Sequence, residues 1–448
     1  MTAAAYRGVA MLLWALAVYS IISCRGLFWD GASFLVNIID LGGFHDFYTA
    51  RAHVDWVTQT PVIVAAWLGV RDLHVLSIVY SLGLFALPVG LYHLGLARVR
   101  RDPVKLAIII VVVATVYLPT SFFIVGEYNA AFAAVTAAMA IALTDRRRGD
   151  AVLLCILGLL CLRSYEAMIY LGPLVAACIL WSMRGVRDAG THLLLAVAAL
   201  AFVAAAIISG VTIIDYWNHP HFAKVRSMSL EFWQNLQFTV PIAGIVICAL
   251  IGLVRPGLLR GRLPITVVAI TSVALALTPW FRLLSDYSIL YPPSHYLARQ
   301  AAGLLLAAML VCLWLQSACR NNTPRVLAVL REPDVARRLV GSTLVLFVAA
   351  TIPDLALTRL WTGYLDRIAA LVDRGEGAIS TRTLPLAQWP DKLFAQDWTL
   401  PALSAVVSHT PGRAYVITDK DYLSNPPFDP ACGTLPRLAG YQWGRQLR

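Results

Sequence analysis

The chain has 448 residues, of which 59% are hydrophobic and only 14% are charged, and its formal net charge is +11. This composition excludes an ordinary soluble globular protein, in which about a quarter of the residues are charged. An excess of basic residues in a soluble protein would suggest a nucleic-acid partner. Here the arginines lie mainly in short loops between apolar segments, where they set membrane topology, so no nucleic-acid partner is expected.

Apolar segments of about 20 residues, the length that crosses the hydrocarbon core, recur along the chain. They must be helical because lipid offers no hydrogen-bond partner to the backbone. The sequence therefore predicts an all-α polytopic membrane protein with about 11 transmembrane helices. Their approximate bounds are 9–23, 73–96, 106–124, 130–143, 151–162, 167–183, 192–214, 238–254, 265–281, 300–318 and 339–357.

The connections between these segments differ in charge on the two sides of the membrane. Alternate connections hold most of the basic residues, namely Arg98, Arg100, Arg101, Lys105, Arg146, Arg147, Arg148, Arg184, Arg187, Arg255, Arg260, Arg262, Arg320, Arg325, Arg331, Arg337 and Arg338. The opposite connections hold few basic residues but collect acids, histidines and aromatic residues. The positive-inside rule therefore predicts a cytoplasmic N-terminus and an outer C-terminus, periplasmic if the membrane is the bacterial inner membrane. Any chemistry is expected on the outer face.

Residues 1–358 are predicted to form the membrane domain, with a first outer loop at 25–71. Within that loop, spaced apolar residues over Gly31–Leu41, ended by Gly42 and Gly43, predict a short surface helix. The apolar stretch 61–70 is too short to span and predicts a second surface or re-entrant helix. The mostly polar tail, 359–448, is predicted to lie on the outer face, with a helix over 402–408 and a strand over 414–418. It is either a small α/β cap or a set of loops packed on the membrane domain.

Asp30 is the leading candidate for chemistry because it follows the first span by only a few residues, beside Phe28 and Trp29. A carboxylate at a membrane interface tends to lose its charge unless a cation is near. The structural alternative is that Asp30 caps the helix that starts at Gly31. The eight cysteines form no CxxC pair, so no metal ligands are predicted among them.

The order of elements is similar to that of the GT-C glycosyltransferases. The segment WDGASFLVNIIDLGGF resembles their first outer loop, in which an acidic residue precedes an aromatic-rich helix and a glycine, and TQTPVIVAAWLGV resembles the proline-containing segment before the next span. These enzymes take a sugar from a polyprenyl-phosphate carrier. The chain departs from their common DE and DxD forms, because Gly31 follows Asp30, and the need for a divalent cofactor such as Mg²⁺ or Mn²⁺ stays open.

The resemblance implies roles for several residues. Asp30 is expected to act as the catalytic base that takes a proton from the acceptor hydroxyl, with Asp55 or Asp46 orienting the acceptor. Substrate contacts are expected from residues in the later outer connections, namely Glu127, Arg163, Glu166, His219, Tyr291, His295 and Arg299. Among these, Arg299 and His295 are expected to bind the phosphate, because an arginine at the outer end of a span runs against the positive-inside trend.

Glu127 and Glu166 are hypothesised to face the same site as Asp30, although Arg163 and Glu166 could instead pair with each other. Tyr216, Trp217 and His219 could stack on a sugar ring, although an interfacial aromatic belt also explains them.

The sequence thus favours an inverting glycosyltransferase that moves a sugar from a polyprenyl-phosphate donor to a glycan, lipid or protein acceptor at the outer face of the membrane. Two alternatives stay open: a transporter or flippase of a lipid-linked or anionic substrate, and a non-catalytic GT-C-like partner in envelope assembly. Transporters tend to place charges at mid-membrane and to repeat their halves, whereas here the acids lie at the ends of the spans.

Overall fold

The structure is a computed structural model. It describes residues 2–45, 51–122, 127–218, 229–280, 292–319, 324–380, 394, 399–409, 414–417, 438, 440, 441 and 443, with backbone only at 229–231, 292–298 and 417. Four of the residues assigned to the site from sequence therefore lie wholly or in part outside the described residues: Asp46, His219, Tyr291 and the side chain of His295.

The described residues are mostly helical. The helices in chain order are α1 (Thr2–Ile22), α2 (Gly31–Leu41), α3 (Ala52–Trp67), α4 (Leu73–Val99), α5 (Pro103–Val112), α6 (Tyr128–Ala142), α7 (Asp150–Leu162), α8 (Met168–Ser182), α9 (Ala189–Tyr216), α10 (Leu236–Val254), α11 (Leu263–Leu277), α12 (Pro292–Ala318), α13 (Arg325–Leu330), α14 (Pro333–Arg374) and α15 (Leu400–Val406). A π-helical turn, Val113–Tyr117, extends α5. Short 3-10 helices cover Arg25–Leu27, Met183–Gly185, Ser229–Gln234, Pro256–Arg260 and Thr278–Trp280.

Among the described residues, eight helices are long and apolar enough to cross a membrane: Thr2–Ile22, Leu73–Val99, Met168–Gly185, Ala189–Tyr216, Leu236–Val254, Leu263–Trp280, Arg299–Ala318 and Pro333–Arg374. The prediction of a helical integral membrane protein is thereby confirmed. The count of 11 spans is not confirmed, because the segments predicted at 106–124, 130–143 and 151–162 form shorter apolar helices of 10–17 residues.

The short helix α6 lies at the centre of the bundle. All of its residues are buried, and many of them are alanines. Small side chains let α4, α7, α8 and α12 pack directly against it. A helix enclosed by protein on all sides has no bilayer thickness to match, which explains why α6 can be shorter than a typical span.

The two ends of the bundle differ chemically. At one end, Lys105 Nζ donates to the Leu143 carbonyl at 2.7 Å, and Arg98 Nη2 pairs with Asp150 Oδ2 at 2.6 Å. Cations there satisfy the free carbonyls and the acidic residue at helix ends. The opposite end carries Asp30 and the starts of α4, α6 and α8, and we call it the acidic end.

The outer-loop helices follow the sequence prediction in part. The bounds of α2 agree with those predicted, and Gly42, with φ of 59°, ends it in the left-handed conformation that glycine adopts without strain. The start of α3 was predicted nine residues too late. The helix accommodates Pro61 in its interior, so Asp55 lies on a helix and not in a loop.

The tail packs on the membrane helices. The strands β1 (Gly377–Ser380) and β2 (Ala414–Ile417) pair in parallel, with Gly377 opposite Ala414 and Ser380 opposite Ile417. The helix and the strand predicted in this region are present as α15 and β2. Since α15 contacts α2, and β2 contacts α14, the described part of the tail packs against the helix that begins directly after Asp30 and against the last long helix.

Candidate functional site

The backbone that leads to Asp30 is tightly constrained. Cys24 and Trp29 both have positive φ, 50° and 58°, and the 3-10 turn Arg25–Leu27 lies between them. Non-glycine residues in this region cost of order 1–3 kcal/mol each and persist only where the surroundings hold them. Asp30 itself has helical backbone angles, and its side chain makes no capping hydrogen bond to α2. Asp30 therefore occupies the N-cap position of α2, where its carbonyl accepts the N–H of Phe34, but the side-chain hydrogen bond of the capping alternative is absent.

Arg25 anchors this connection from within the bundle. Its side chain is fully buried, and Nη1 lies 3.0 and 3.1 Å from the two carboxylate oxygens of Asp354 on α14. The guanidinium also donates to the hydroxyls of Thr358 and Ser121 and lies 4.4 Å from the centre of the Phe122 ring. Arg25 therefore forms a structural ion pair with Asp354.

An aromatic cluster holds the residues between Arg25 and Asp30. The Phe28 ring packs edge-on against Phe122 at 4.8 Å, Trp361 at 5.5 Å and Phe394 at 6.2 Å between ring centres. The Trp361 indole N–H donates to the carbonyl of Ser23 at 3.1 Å. Because Phe394 belongs to the tail, three distant parts of the chain fix the position of Asp30.

Asp55 reaches the acidic end because α3 lies unusually close to α4. A Cβ atom at Gly83 of α4 would overlap the carbonyl oxygen of Thr58 on α3, so only glycine permits this approach. Asp55 precedes Thr58 by one turn of α3, and its side chain is buried. From there its charge acts on Tyr80 of α4.

Tyr80 of α4 experiences the charges of three of the carboxylates that the sequence predicts for the site. Its side chain is almost fully buried, and its hydroxyl lies within electrostatic reach of Asp55, Glu127 and Asp30, which come from three separate connections of the chain. The hypothesis that Glu127 lies close to Asp30 agrees with this arrangement. Tyr80 itself was not singled out from the sequence. Its signal was a phenol within an apolar span, a position where polar groups usually have a specific partner.

Arg51 joins Glu127 to Glu166. Its Nη1 lies 2.9 Å from Glu127 Oε2, and its Nη2 and Nε lie 2.7 and 3.2 Å from Glu166 Oε1. Burial raises the pKa of Glu127 above its ordinary value, although Arg51 opposes the shift. Burial acts on Glu166 in the same direction, but the attraction and hydrogen bonds of Arg51 outweigh it and hold the pKa of Glu166 below its ordinary value. The pKa values of the two carboxylates are therefore shifted in opposite directions.

Arg299 approaches the same carboxylates from α12. It is buried, and its charge acts on both Glu127 and Glu166. The Tyr165 ring has the guanidinium of Arg51 at 5.5 Å from its centre and that of Arg299 at 6.0 Å, and the amide of Gln300 donates to its hydroxyl at 3.1 Å. Arg299 therefore lies near Glu127, Glu166 and Tyr165, and its assignment to the phosphate stays a prediction. We call Asp30, Asp55, Glu127 and Glu166, with Tyr80, Arg51 and Arg299, the acidic cluster.

Three further residues that the sequence singled out, Arg163, Tyr216 and Trp217, have exposed side chains. Arg163 is exposed at the end of α7, where its carbonyl accepts the backbone N–H of His53 at 3.2 Å. Glu166 forms its ion pair with Arg51, which is not the pairing with Arg163 that the sequence suggested. Tyr216 and Trp217 are half-exposed at the end of α9.

Arg51 was missed, although the sequence contained a signal for it. The same rule that singled out Arg299, an arginine in a connection otherwise poor in basic residues, applies equally to Arg51. Its partners could not be identified from the sequence, because Glu127 and Glu166 are 76 and 115 positions away.

The acidic cluster, as defined by its described residues, contains four carboxylates and two guanidinium groups. In the described part of the chain, no group of three His, Cys, Asp or Glu side chains could hold a metal ion. The cluster can accept a proton from a hydroxyl and can orient a polar ligand by hydrogen bonds.

Comparisons with family models, curated proteins and solved structures find no match to this chain. No residue role can be transferred from a relative on that basis. The chemistry of the acidic cluster therefore has to be inferred from its own geometry.

Proposed function

We propose that the chain is an inverting glycosyltransferase of GT-C type. It transfers a sugar from a polyprenyl-phosphate donor to a glycan, lipid or protein acceptor at the outer face of the membrane. The observation that carries the proposal is that the charges of Asp30, Asp55 and Glu127 all act on Tyr80, at one end of a bundle of apolar helices. Such a transfer needs a carboxylate base near a membrane surface, within reach of a lipid-borne substrate.

Asp30 is the proposed base. Of the three carboxylates around Tyr80 it is the least enclosed, whereas Asp55 and Glu127 are buried. An acceptor hydroxyl can therefore reach Asp30 first. The constrained backbone on either side of Arg25–Leu27 holds the carboxylate in place, which favours a near-attack geometry. Asp55 orients the acceptor from the α3 side, and the same role for Asp46 stays a prediction.

The leaving phosphate needs positive charge as its bond to the sugar breaks. Arg299 supplies it from α12, together with His295 one turn earlier in the sequence. Arg51 is held by two carboxylates, and the raised pKa of Glu127 provides the means to release it. Once Glu127 takes a proton, its pairing with Arg51 weakens, and the Nη1 group of Arg51 can bind a phosphate oxygen. We assign no step to a metal ion.

The test is sugar transfer by purified protein in nanodiscs. Radiolabelled polyprenyl-phosphate sugars are supplied with a membrane extract as the source of acceptor. Wild type is compared with Asp30→Asn, Asp55→Asn and a matched control, Asp40→Asn, which alters an exposed carboxylate on α2. Loss of a general base lowers the rate by roughly 10²–10⁴-fold, so we expect transfer by wild type and the control but almost none by Asp30→Asn.

Other outcomes of this assay are equally informative. Equal transfer by Asp30→Asn and wild type would move the base to Asp55 or Asp46. Well-folded wild type that transfers no sugar from any donor would contradict the proposal and favour transport of a lipid-linked substrate or a non-catalytic role.

A further inference from the structure

The polarity of α3 is the reverse of that expected for a helix lying on a membrane surface. Its polar residues Asp55, Thr58 and Gln59 are 5%, 3% and 1% exposed and face the bundle. Its opposite face exposes apolar residues: Trp56, Val57, Val64, Trp67 and Leu68, at 41–80% of their surface. A helix at the interface turns its charged face to water and its apolar face to the interior of the membrane or the protein. In α3, the outward face is the apolar one.

Three polar groups on or beside this outward face have hydrogen-bond partners within the protein. The Thr60 hydroxyl donates to the Trp56 carbonyl at 2.5 Å, and the Trp67 indole N–H donates to the Gly42 carbonyl at 2.9 Å. His53 Nδ1 donates to the Leu159 carbonyl at 2.6 Å. Groups exposed to water have no need of such partners, whereas groups exposed to hydrocarbon must have them. Asp55 is the one carboxylate on α3, and it faces inward.

The outward face of α3 continues onto the neighbouring helix. α3 packs against α7, and α7 exposes Val152, Ile156 and Leu159 at 49–55% of their surface. The hydrogen bond from His53 to the Leu159 carbonyl lies at the junction of the two helices. The two helices thus present one apolar surface, and the part on α7 belongs to an apolar helix of the bundle.

We propose that the outward face of α3 contacts the hydrocarbon chains of bilayer lipids. On this proposal α3 lies within the membrane and separates the bilayer lipids from the acidic cluster by one helix diameter, about 10 Å. The buried polar face of α3 supplies Asp55 to the cluster, and the opposite face is solvated by lipid. The inference holds whatever reaction the cluster performs, since it depends only on the polarity and hydrogen bonding of α3.

Photo-crosslinking in phospholipid nanodiscs tests the proposal. Benzoylphenylalanine is introduced at Val64 on the outward face and, as the matched control, at Val62, which is fully buried two residues away. Mass spectrometry then identifies the photoadducts. We expect a phospholipid adduct at Val64 and none at Val62. Absence of a lipid adduct at Val64, or an adduct with another protein when native membranes are irradiated, would overturn the proposal.

A second pair of variants covers the case in which the bulky photoprobe disturbs folding. Val64→Lys places a charge on the outward face, and Val64→Leu keeps that face apolar at similar size. We expect Val64→Lys to unfold at a clearly lower temperature than Val64→Leu in nanodiscs, because lipid does not solvate an ammonium group. Equal unfolding temperatures would mean that water covers this face. Neither readout requires sugar transfer, so failure here is distinguishable from failure of the proposed reaction.

Discussion

Two arginines of the connection between α1 and α4, Arg25 and Arg51, pair with carboxylates in different ways. Arg25 has a single carboxylate partner, Asp354, and additional hydroxyl partners that include Thr358 and Ser121, and it is fully buried. Arg51 is shared by two carboxylates, Glu127 and Glu166, and its side chain is 14% exposed. The first pair is electrically neutral and enclosed. The second is part of a cluster in which carboxylates outnumber guanidinium groups.

This difference indicates that the Arg25 pair supports the fold, whereas the Arg51 pairs belong to the candidate functional site. A neutral ion pair with many hydrogen bonds has one stable arrangement, so the Arg25 pair can hold the backbone before Asp30 in place. Two carboxylates that compete for Arg51 have pKa values shifted in opposite directions, which lets the cluster respond to a proton or to a charged ligand. Four predictions test this separation, from the largest expected effect to the smallest.

Asp354→Asn should cause the largest loss of stability. It leaves the Arg25 guanidinium buried without its counter-charge, and breaking a buried pair in this way costs about 3–5 kcal/mol. The measurement is the thermal unfolding midpoint in detergent. The double variant Arg25→Met with Asp354→Leu removes both charges and should recover much of the loss. A wild-type midpoint for Asp354→Asn alone would show that the pair does not hold the scaffold together.

Gly83→Ala should have the next largest effect, because its methyl group overlaps the Thr58 carbonyl and forces α3 away from α4. Overpacking of this kind costs about 1–3 kcal/mol. Displacement of α3 also moves Asp55 from Tyr80, so sugar transfer should fall as well. Gly341→Ala is the matched control, since nothing lies within 4 Å of its added Cβ on α14. Equal behaviour of the two alanine variants would mean that α3 can shift without consequence.

Contacts such as these mark the limit of what the sequence could predict. The bounds of α2 were predictable because spaced apolar residues end at a glycine pair, a purely local signal. The acids of the outer connections could be assigned to one side by the charge rule alone. The Arg25–Asp354 pair joins residues 329 positions apart, and the close approach at Gly83 depends on the backbone of another helix. Neither contact leaves a local pattern in the sequence. Tyr80 and Arg51 each had a local signal, but the distant groups around them could not be identified from the sequence.

Glu166→Gln should be more destabilising than Glu127→Gln at neutral pH. The pKa of Glu166 is lowered in the folded protein, so its ionised form stabilises the fold above the ordinary pKa, and this contribution disappears as pH falls through the folded value. The pKa of Glu127 is raised, so its ionisation costs stability as pH rises. We expect losses of about 1–3 kcal/mol for Glu166→Gln, the value of a hydrogen bond to a charged group, and less for Glu127→Gln.

Unfolding midpoints measured from about pH 8 down to about pH 2 decide this prediction. The gap between wild type and Glu166→Gln should narrow as pH falls below the ordinary carboxyl value of about 4.3 and should close only below the lower folded value, where both proteins carry a neutral side chain. A gap that is constant with pH would show that Arg51 does not bias the ionisation of Glu166.

Arg163→Gln should have the smallest effect on stability. The side chain is exposed, and exposed substitutions away from special features change stability by about 0.5 kcal/mol or less. Its effect on transfer is the informative part, because the sequence assigns Arg163 to the substrate while the ion pair of Glu166 goes to Arg51. If Arg163→Gln unfolds like wild type and also transfers sugar at the wild-type rate, that assignment is wrong and Arg51 is the functional arginine of the pair. If it raises KM without changing the unfolding midpoint, Arg163 binds substrate from the rim of the acidic cluster. In that case the two arginines have different roles: Arg51 positions the carboxylates, and Arg163 binds the ligand.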